Sequence, residues 1–84
     1  FIKKVQPRYP DRARRQGLEG TVLLEALVNP MGRVVKVRVI SAPARDLASA
    51  AVAALRRSSL SPGLVGTRPV SVKLKIPYRF VLDG

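Results

Sequence analysis

Near the end of the chain, a long run of residues alternates between apolar and polar side chains. Residues 70–80 place these side chains on one face: Val70, Val72, Leu74, Ile76, Tyr78 and Phe80. The opposite face has Ser71, Lys73, Lys75 and Arg79. Alternation with a period of two is typical of a β-strand that buries one face. We therefore predict that residues 70–80 form a strand whose apolar face covers a core and whose other face is basic and solvated.

Two earlier segments show the same alternation and lie on either side of a turn. Residues 21–29 place Val22, Leu24, Ala26 and Val28 on one face. Residues 34–40 place Val35, Val37 and Val39 on one face and Lys36 and Arg38 on the other. The sequence NPMG between them fits a type I turn, in which Gly32 is free to adopt a positive φ. We predict an antiparallel hairpin.

Helical patterns precede and follow this hairpin. Residues 11–16 are predicted to form a short helix, with Pro10 acceptable in its first turn and Gly17 ending it. Residues 47–57 are predicted to form a longer helix, with Asp46 as its cap. Its apolar stripe consists of Leu47, Ala51, Ala54 and Leu55. Residues 58–69, which contain several prolines and glycines, are predicted to be a loop.

The order helix, strand, strand, helix, strand predicts an α+β domain with two layers. In this fold a three-stranded antiparallel sheet carries both helices on one face, and its other face is basic and exposed to solvent. Residues 1–8 are predicted to be an extended lead-in, and residues 9–84 to be the domain.

The residue types argue against catalysis. The 84 residues include no cysteine and no histidine, which excludes disulfides, thiolate and imidazole chemistry and the usual zinc sites. Asp11 and Asp46 are explained as residues at helix starts, and Glu19 and Glu25 are not spaced as an acid–base pair. Because no set of nucleophile, base and orienting group is present, we expect no enzyme activity and no metal or cofactor.

The net charge of +11 favours an acidic partner, although codon bias and solubility are equally good explanations. One alternative is nucleic-acid binding by the basic sheet face. RNA-binding sheets usually interleave aromatic side chains for base stacking, and these are missing here, so we expect no nucleic-acid partner. Another is that an extended peptide adds to the edge of the last strand. An equally good interpretation is that this edge is blocked against pairing, because the strand contains residue types that prevent it: Lys73, Lys75, Pro77 and Arg79.

No apolar run approaches the ~20 residues that span a bilayer, and no signal peptide is visible. The chain begins with Phe1 rather than methionine, so we expect it to be a piece of a longer protein whose upstream segment supplies any membrane anchor.

The sequence resembles the periplasmic C-terminal domain of the TonB family over residues 6–82. The matching pieces are QPRYP at 6–10, EGTV at 19–22, NPMGRV at 29–34, residues 37–41, ALRR at 54–57, Pro62-Gly63 and the last strand. No piece is very specific alone, but their order and spacing together are. Where the family usually has a pair of aromatic residues after the second helix, this chain has Ser58 and Leu60. We therefore expect Leu60 to fill part of the core and the packing near Ser58 to differ.

The resemblance implies a domain anchored in the inner membrane that faces outer-membrane transporters for siderophore-bound iron, haem or cobalamin. In the family, the transporter's extended TonB box pairs with the last strand, and force derived from the ExbB–ExbD complex is transmitted through it. On this sequence the implied partner-binding residues are Gln6, Pro7, Tyr9, Pro10, Val70, Val72, Lys73, Leu74, Lys75 and Ile76. Plainer alternatives are that Tyr9 only packs on a helix and Gln6 is an ordinary loop residue. A TolA-like envelope adaptor is the alternative within the same class, and we expect a monomer or a weak strand-swapped dimer.

Overall fold

The chain folds in the order helix, strand, strand, helix, short hairpin, strand in the computed structural model, which describes residues 2–83. Phe1, in the predicted lead-in, and Gly84, at the end of the predicted domain, lie outside the described residues. The elements are α1 (Asp11–Arg15), β1 (Gly20–Val28), β2 (Val34–Ser41), α2 (Arg45–Arg57), β3 (Gly63–Val65), β4 (Arg68–Val70) and β5 (Val72–Phe80).

The main sheet is antiparallel throughout and has the strand order β2-β1-β5. The even-numbered side chains of β1 are buried between the sheet and α2, where the predicted stripe of α2 meets them. Ala13 of α1 and Leu60 complete the core from the same side. The predicted α+β fold with both helices on one face of a three-stranded sheet is confirmed.

The turn between β1 and β2 depends on glycine at position 32. Gly32 adopts φ +81°, as predicted, and its N–H donates to the Asn29 carbonyl at 2.9 Å. The Asn29 side-chain oxygen accepts hydrogen bonds from the N–H groups of Met31 and Arg33 at 3.0 and 2.9 Å. A Cβ atom at position 32 would lie 2.3 Å from the Leu60 carbonyl oxygen. The turn therefore needs glycine both for its backbone angle and for its contact with the segment after α2.

The prediction that Val35 shares the apolar face of β2 with Val37 and Val39 is wrong. Val37 and Val39 lie opposite the buried Ala26 and Leu24, as expected. A register shift then leaves Val35 without a partner on β1 and places Val34 opposite Val28. Val35 is 54% exposed. A second shift omits Ile40 at the other end of the strand. Each shift inserts one residue into β2, and this reverses the side to which the next residues point.

The predicted cap of the longer helix is also wrong. Asp46 lies inside the first turn of α2, and the N-cap is Ala44, which makes no side-chain cap bond. The Asp46 carboxylate is still near the positive end of the helix dipole. Pro10 is the N-cap of α1 rather than its first helical residue, and its carbonyl accepts the Arg14 N–H at 2.9 Å. Gly17 follows α1 with φ +66°, as its predicted role requires.

The predicted loop at residues 58–69 contains a two-stranded hairpin, β3–β4. Gly66 takes φ +62° in the connection, as a two-residue hairpin turn requires. Val70, predicted to begin the last strand, ends β4 instead, and Ser71 separates it from β5. The hairpin was missed because its strands have only three residues each and contain Gly63 and Pro69, which are typical of loops.

Candidate strand-addition site

The main sheet has two edge strands, and they differ in regularity. On its inner side β5 pairs with β1 along all of its residues without a register shift. Within residues 2–83, no strand pairs with its outer side. The other edge strand, β2, is interrupted by two register shifts. Because bulges bend and twist an edge away from a partner, β5 is the edge better suited to accept a further strand.

Pro77 determines which backbone groups of β5 face outward. A proline has no N–H to donate, so in an edge strand its nitrogen faces away from the neighbouring strand. Backbone direction alternates along a strand, so the odd-numbered residues of β5 face the open edge and the even-numbered residues face β1. Leu82, two residues beyond β5, points its N–H to the same side as the even-numbered residues, because it donates to the side-chain carboxylate of Glu19, just before β1, at 2.8 Å.

The open edge of β5 therefore offers three amide donors, from Lys73, Lys75 and Arg79. Their carbonyl groups and that of Pro77 face the same way and act as acceptors. Among the predicted partner-binding residues, Val72, Leu74 and Ile76 turn their backbone groups toward β1 and their side chains toward the core. Their roles as contacts stay predictions. Of the predicted partner-binding residues in β5, Lys73 and Lys75 are the two whose backbone N–H groups face the open edge.

The two sides of this edge differ chemically. On the helix side, Ile76, Tyr78 and Phe80 are buried. On the other side, the Lys73, Lys75 and Arg79 side chains are exposed. One carboxylate lies within this basic face: Glu25 of β1 is opposite both Lys75 and Arg38, and Arg38 Nε is 3.4 Å from Glu25 Oε1. The face keeps a large excess of positive charge, which favours an acidic segment at the β5 edge.

The predicted approach segment, residues 6–10, meets β5 at one end only. The Tyr9 ring packs edge-on against Phe80, with ring centroids 5.4 Å apart, and its hydroxyl donates to the Leu18 carbonyl. Burial raises the pKa of Tyr9, Glu19 raises it further and Arg14 lowers it. Gln6 is exposed and Pro7 half-buried along the α2 side. Lys73 is about 20 Å from Phe80 along the strand, so a peptide would have to follow β5 to reach both parts of the site.

Ser58 anchors the residues just before the approach segment, which the sequence did not predict. Its hydroxyl donates to the Ala54 carbonyl at 2.8 Å and accepts the Val5 N–H at 3.0 Å. The next residue, Ser59, forms a bridge with Lys3. Leu60 is buried in the core, as expected of the residue that replaces one family aromatic. The chain thus has a small hydroxyl residue here that ties its N-terminal segment to the end of α2.

Tyr78 has a polar atom that the core leaves unpaired. Its hydroxyl is buried, and none of the described residues meets it with full hydrogen-bonding geometry. Burial raises the pKa of Tyr78, and the Ser58 hydroxyl lies close enough to lower it in part without forming a well-aligned bond. We expect Tyr78→Phe to leave the free energy of unfolding at pH 7 unchanged or to raise it by about 1 kcal/mol, because it removes an unsatisfied buried group.

The change of the free energy of unfolding with pH provides a second test of this substitution. The neutral phenol is favoured in the folded state, so its contribution to stability is complete below about pH 10 and is lost as the pH rises from there through the folded-state pKa. The Tyr78→Phe variant should therefore lose less stability above about pH 10 in urea unfolding followed by circular dichroism. A loss of more than about 1 kcal/mol at pH 7 would show that the hydroxyl is bonded.

The described residues give no support for other kinds of site. No group of three or more His, Cys, Asp and Glu side chains within residues 2–83 could hold a metal ion. None of the helices in this part of the chain has the length and hydropathy needed to cross a bilayer.

Fold and site together define a class: small α+β binding domains with an open, regular edge strand. The chain matches the family model described as "Gram-negative bacterial TonB protein C-terminal" over residues 5–82. It belongs to this family.

Individual relatives agree with this assignment. Protein TonB of Vibrio cholerae is 37% identical over 82 residues, which is 96% of this chain and 34% of that protein. Protein TonB of Klebsiella pneumoniae is 37% identical over 79 residues, 93% of this chain and 31% of that protein. The NMR solution structure of the Helicobacter pylori TonB C-terminal domain superposes with a TM-score of 0.73 at 29% identity, over 93% of this chain and 71% of that one. The chain spans about a third of the length of the curated relatives it matches.

Proposed function

We propose that this domain is the partner-binding end of a TonB-type energy transducer. It binds the extended N-terminal segment of an outer-membrane transporter, the TonB box, as an added strand on the outer edge of β5. Force derived from the proton-motive force then passes through that strand to the transporter for uptake of siderophore-bound iron, haem or cobalamin. The observation that carries the proposal is the uninterrupted outer edge of β5, with which no strand within residues 2–83 pairs, in a chain of this family.

The chemistry of the edge suits this role. Main-chain hydrogen bonds between strands depend little on side-chain identity, so one edge can serve several transporters. The basic face beside the edge accelerates capture of acidic segments, with a dependence on salt. A pull on β5 is resisted by β1, which pairs with it along nine residues and lies at the centre of the sheet.

For location and further partners, the support for the proposal is family membership alone. We place the domain in the periplasm, anchored in the inner membrane through a segment outside this sequence, and coupled to ExbB–ExbD through that segment. Its role is binding and force transmission, without catalysis.

The test is an NMR titration of the isotope-labelled domain with a TonB-box peptide. Shifts are expected along β5, largest at Lys73 and Lys75, and in the approach segment around Gln6. A shuffled peptide of the same composition serves as the control. No shift with the TonB-box peptide, together with salt-dependent shifts on the basic sheet face with a DNA or RNA oligomer, would replace transduction with nucleic-acid binding.

A further inference from the structure

Several exposed apolar side chains lie at one end of the molecule, and three of them belong to the β1–β2 turn and the β3–β4 hairpin. Met31 in the β1–β2 turn is 76% exposed, and Leu64 and Val65 in the β3–β4 hairpin are 64% and 68% exposed. We call these three residues the apolar tip. Leu64 and Val65 are consecutive in a strand, so they point to opposite faces of the hairpin. Both faces of the hairpin therefore present apolar surface to solvent and are available for contact with another surface.

The turn and the hairpin lie at the same end of the sheet. Gly32, next to Met31, is in contact with the segment at Leu60 and Pro62 that leads into the hairpin. A Cβ atom on Gly63 would be 3.1 Å from the Val72 side chain at the start of β5. Val72 is opposite Val28, the last residue of β1, so all of these groups lie beyond one end of the strands.

Acidic side chains are segregated along the molecule in the same direction, whereas basic side chains occur at both ends. The residues at this end of the sheet and hairpin include four exposed cations: Arg33, Lys36, Arg68 and Lys73. The acidic side chains Asp11, Glu19, Asp46 and Asp83 belong to segments at the other end of the strands, before β1, after β2 or after β5. The fifth carboxylate, Glu25, lies along β1 and is paired with Arg38. Among the described residues, the apolar tip is thus surrounded by positive charge alone.

We infer that the apolar tip docks on an anionic phospholipid bilayer. Leu64 and Val65 enter the boundary between headgroups and acyl chains, and Arg33 and Arg68 bind lipid phosphates from the rim. A protruding hairpin with apolar side chains on both faces needs surroundings that cover both faces at once. A lipid interface does this, whereas an acidic protein would need a deep apolar slot. The inference does not depend on the proposed function, because it concerns the end of the sheet and not the β5 edge.

The test uses a fluorescent reporter, because the chain contains no tryptophan. Val65→Trp places one at the apolar tip, and Val81→Trp places a matched control after β5, where Val81 is also half exposed. Vesicles of about three parts phosphatidylcholine to one part phosphatidylglycerol are compared with pure phosphatidylcholine. The emission of Val65→Trp should shift to the blue with the anionic vesicles only, and high salt should reverse the shift. Val81→Trp should not respond.

Affinity variants provide a second readout. Leu64→Ser combined with Arg68→Glu should lower partitioning into anionic vesicles by about tenfold or more, since apolar contact and two units of charge are lost. The matched pair Val81→Ser and Arg15→Glu, away from the apolar tip, should change it by less than about threefold. All these side chains are exposed, and circular dichroism confirms that each variant is folded. No blue shift with anionic vesicles, an equal shift for Val81→Trp, or an equal loss in the control pair would each overturn the inference.

Discussion

Replacing Lys75 by proline will weaken binding of a transporter-derived peptide at least tenfold while the domain stays folded. The Lys75 N–H faces the open edge of β5, so its removal costs the sheet no hydrogen bond but takes one of three donors from an incoming strand. Losing that bond and leaving its peptide acceptor unpaired costs about 1.5–3 kcal/mol of binding free energy, which is a factor of ten or more in Kd. Isothermal titration calorimetry with a TonB-box peptide measures this change in Kd.

Two controls separate the backbone effect from side-chain and folding effects. Lys75→Ala keeps the N–H and removes the charge, and should weaken binding by less than about threefold. Leu74→Pro removes an N–H that faces β1, so it should cost roughly 3 kcal/mol or more of stability and largely unfold so small a domain. If Lys75→Pro bound as well as Lys75→Ala, or unfolded like Leu74→Pro, the assignment of outward donors on β5 would be wrong.

Gly32→Ala is expected to lower the free energy of unfolding by about 3 kcal/mol. An alanine at φ +81° costs roughly 1–2 kcal/mol by itself. The added Cβ would also lie 2.3 Å from the Leu60 carbonyl oxygen, so the β1–β2 turn must separate from the segment that carries Leu60 into the core. Such overpacking adds about 1–3 kcal/mol. Urea unfolding at pH 7 measures this loss in free energy of unfolding from the shift of the urea midpoint.

The matched control is Gly17→Ala. Gly17 has φ +66°, but a Cβ there meets no atom within 4 Å. The Gly17→Ala variant should therefore lose only the free energy that the positive φ costs an alanine, about 1–2 kcal/mol. Equal losses in the two variants would show that the contact between the turn and Leu60 contributes nothing to stability.

The parts of the fold that follow from local pattern were predictable. Alternation gave the strands of the main sheet, and helical spacing gave the buried stripe that Leu47 begins. The bulge at Val35 was not predictable, because uninterrupted alternation satisfies the sequence equally well. In the structure a register shift places Val34 opposite Val28, a pairing that no local pattern specifies. The cap of α2 was mispredicted for a related reason, since Asp46 is favourable both as a cap and in a first turn.

The site was predictable in outline only. Residues 70–80 indicated a strand with an edge, but the sequence does not state the strand order, and the strand order decides that β5 lies at an edge. The sequence also left open whether Pro77 blocks the edge against pairing or helps to orient an incoming peptide. In the structure Pro77 removes one outward donor and divides the edge into a longer part at Lys73 and Lys75 and a single donor at Arg79. The role of Ser58 depends on a contact with Val5, more than fifty residues earlier, which no local pattern contains.

The central claim is that a peptide adds to the outer edge of β5, and amide hydrogen exchange by NMR tests it most directly. In the free domain, the amides of Val72, Leu74 and Ile76 should be protected by β1, while those of Lys73, Lys75 and Arg79 exchange rapidly. With saturating TonB-box peptide, Lys73 and Lys75 should gain protection of tenfold or more, and the even-numbered amides should change little. Binding that leaves Lys73 and Lys75 exchanging as fast as in the free domain would contradict strand addition at this edge.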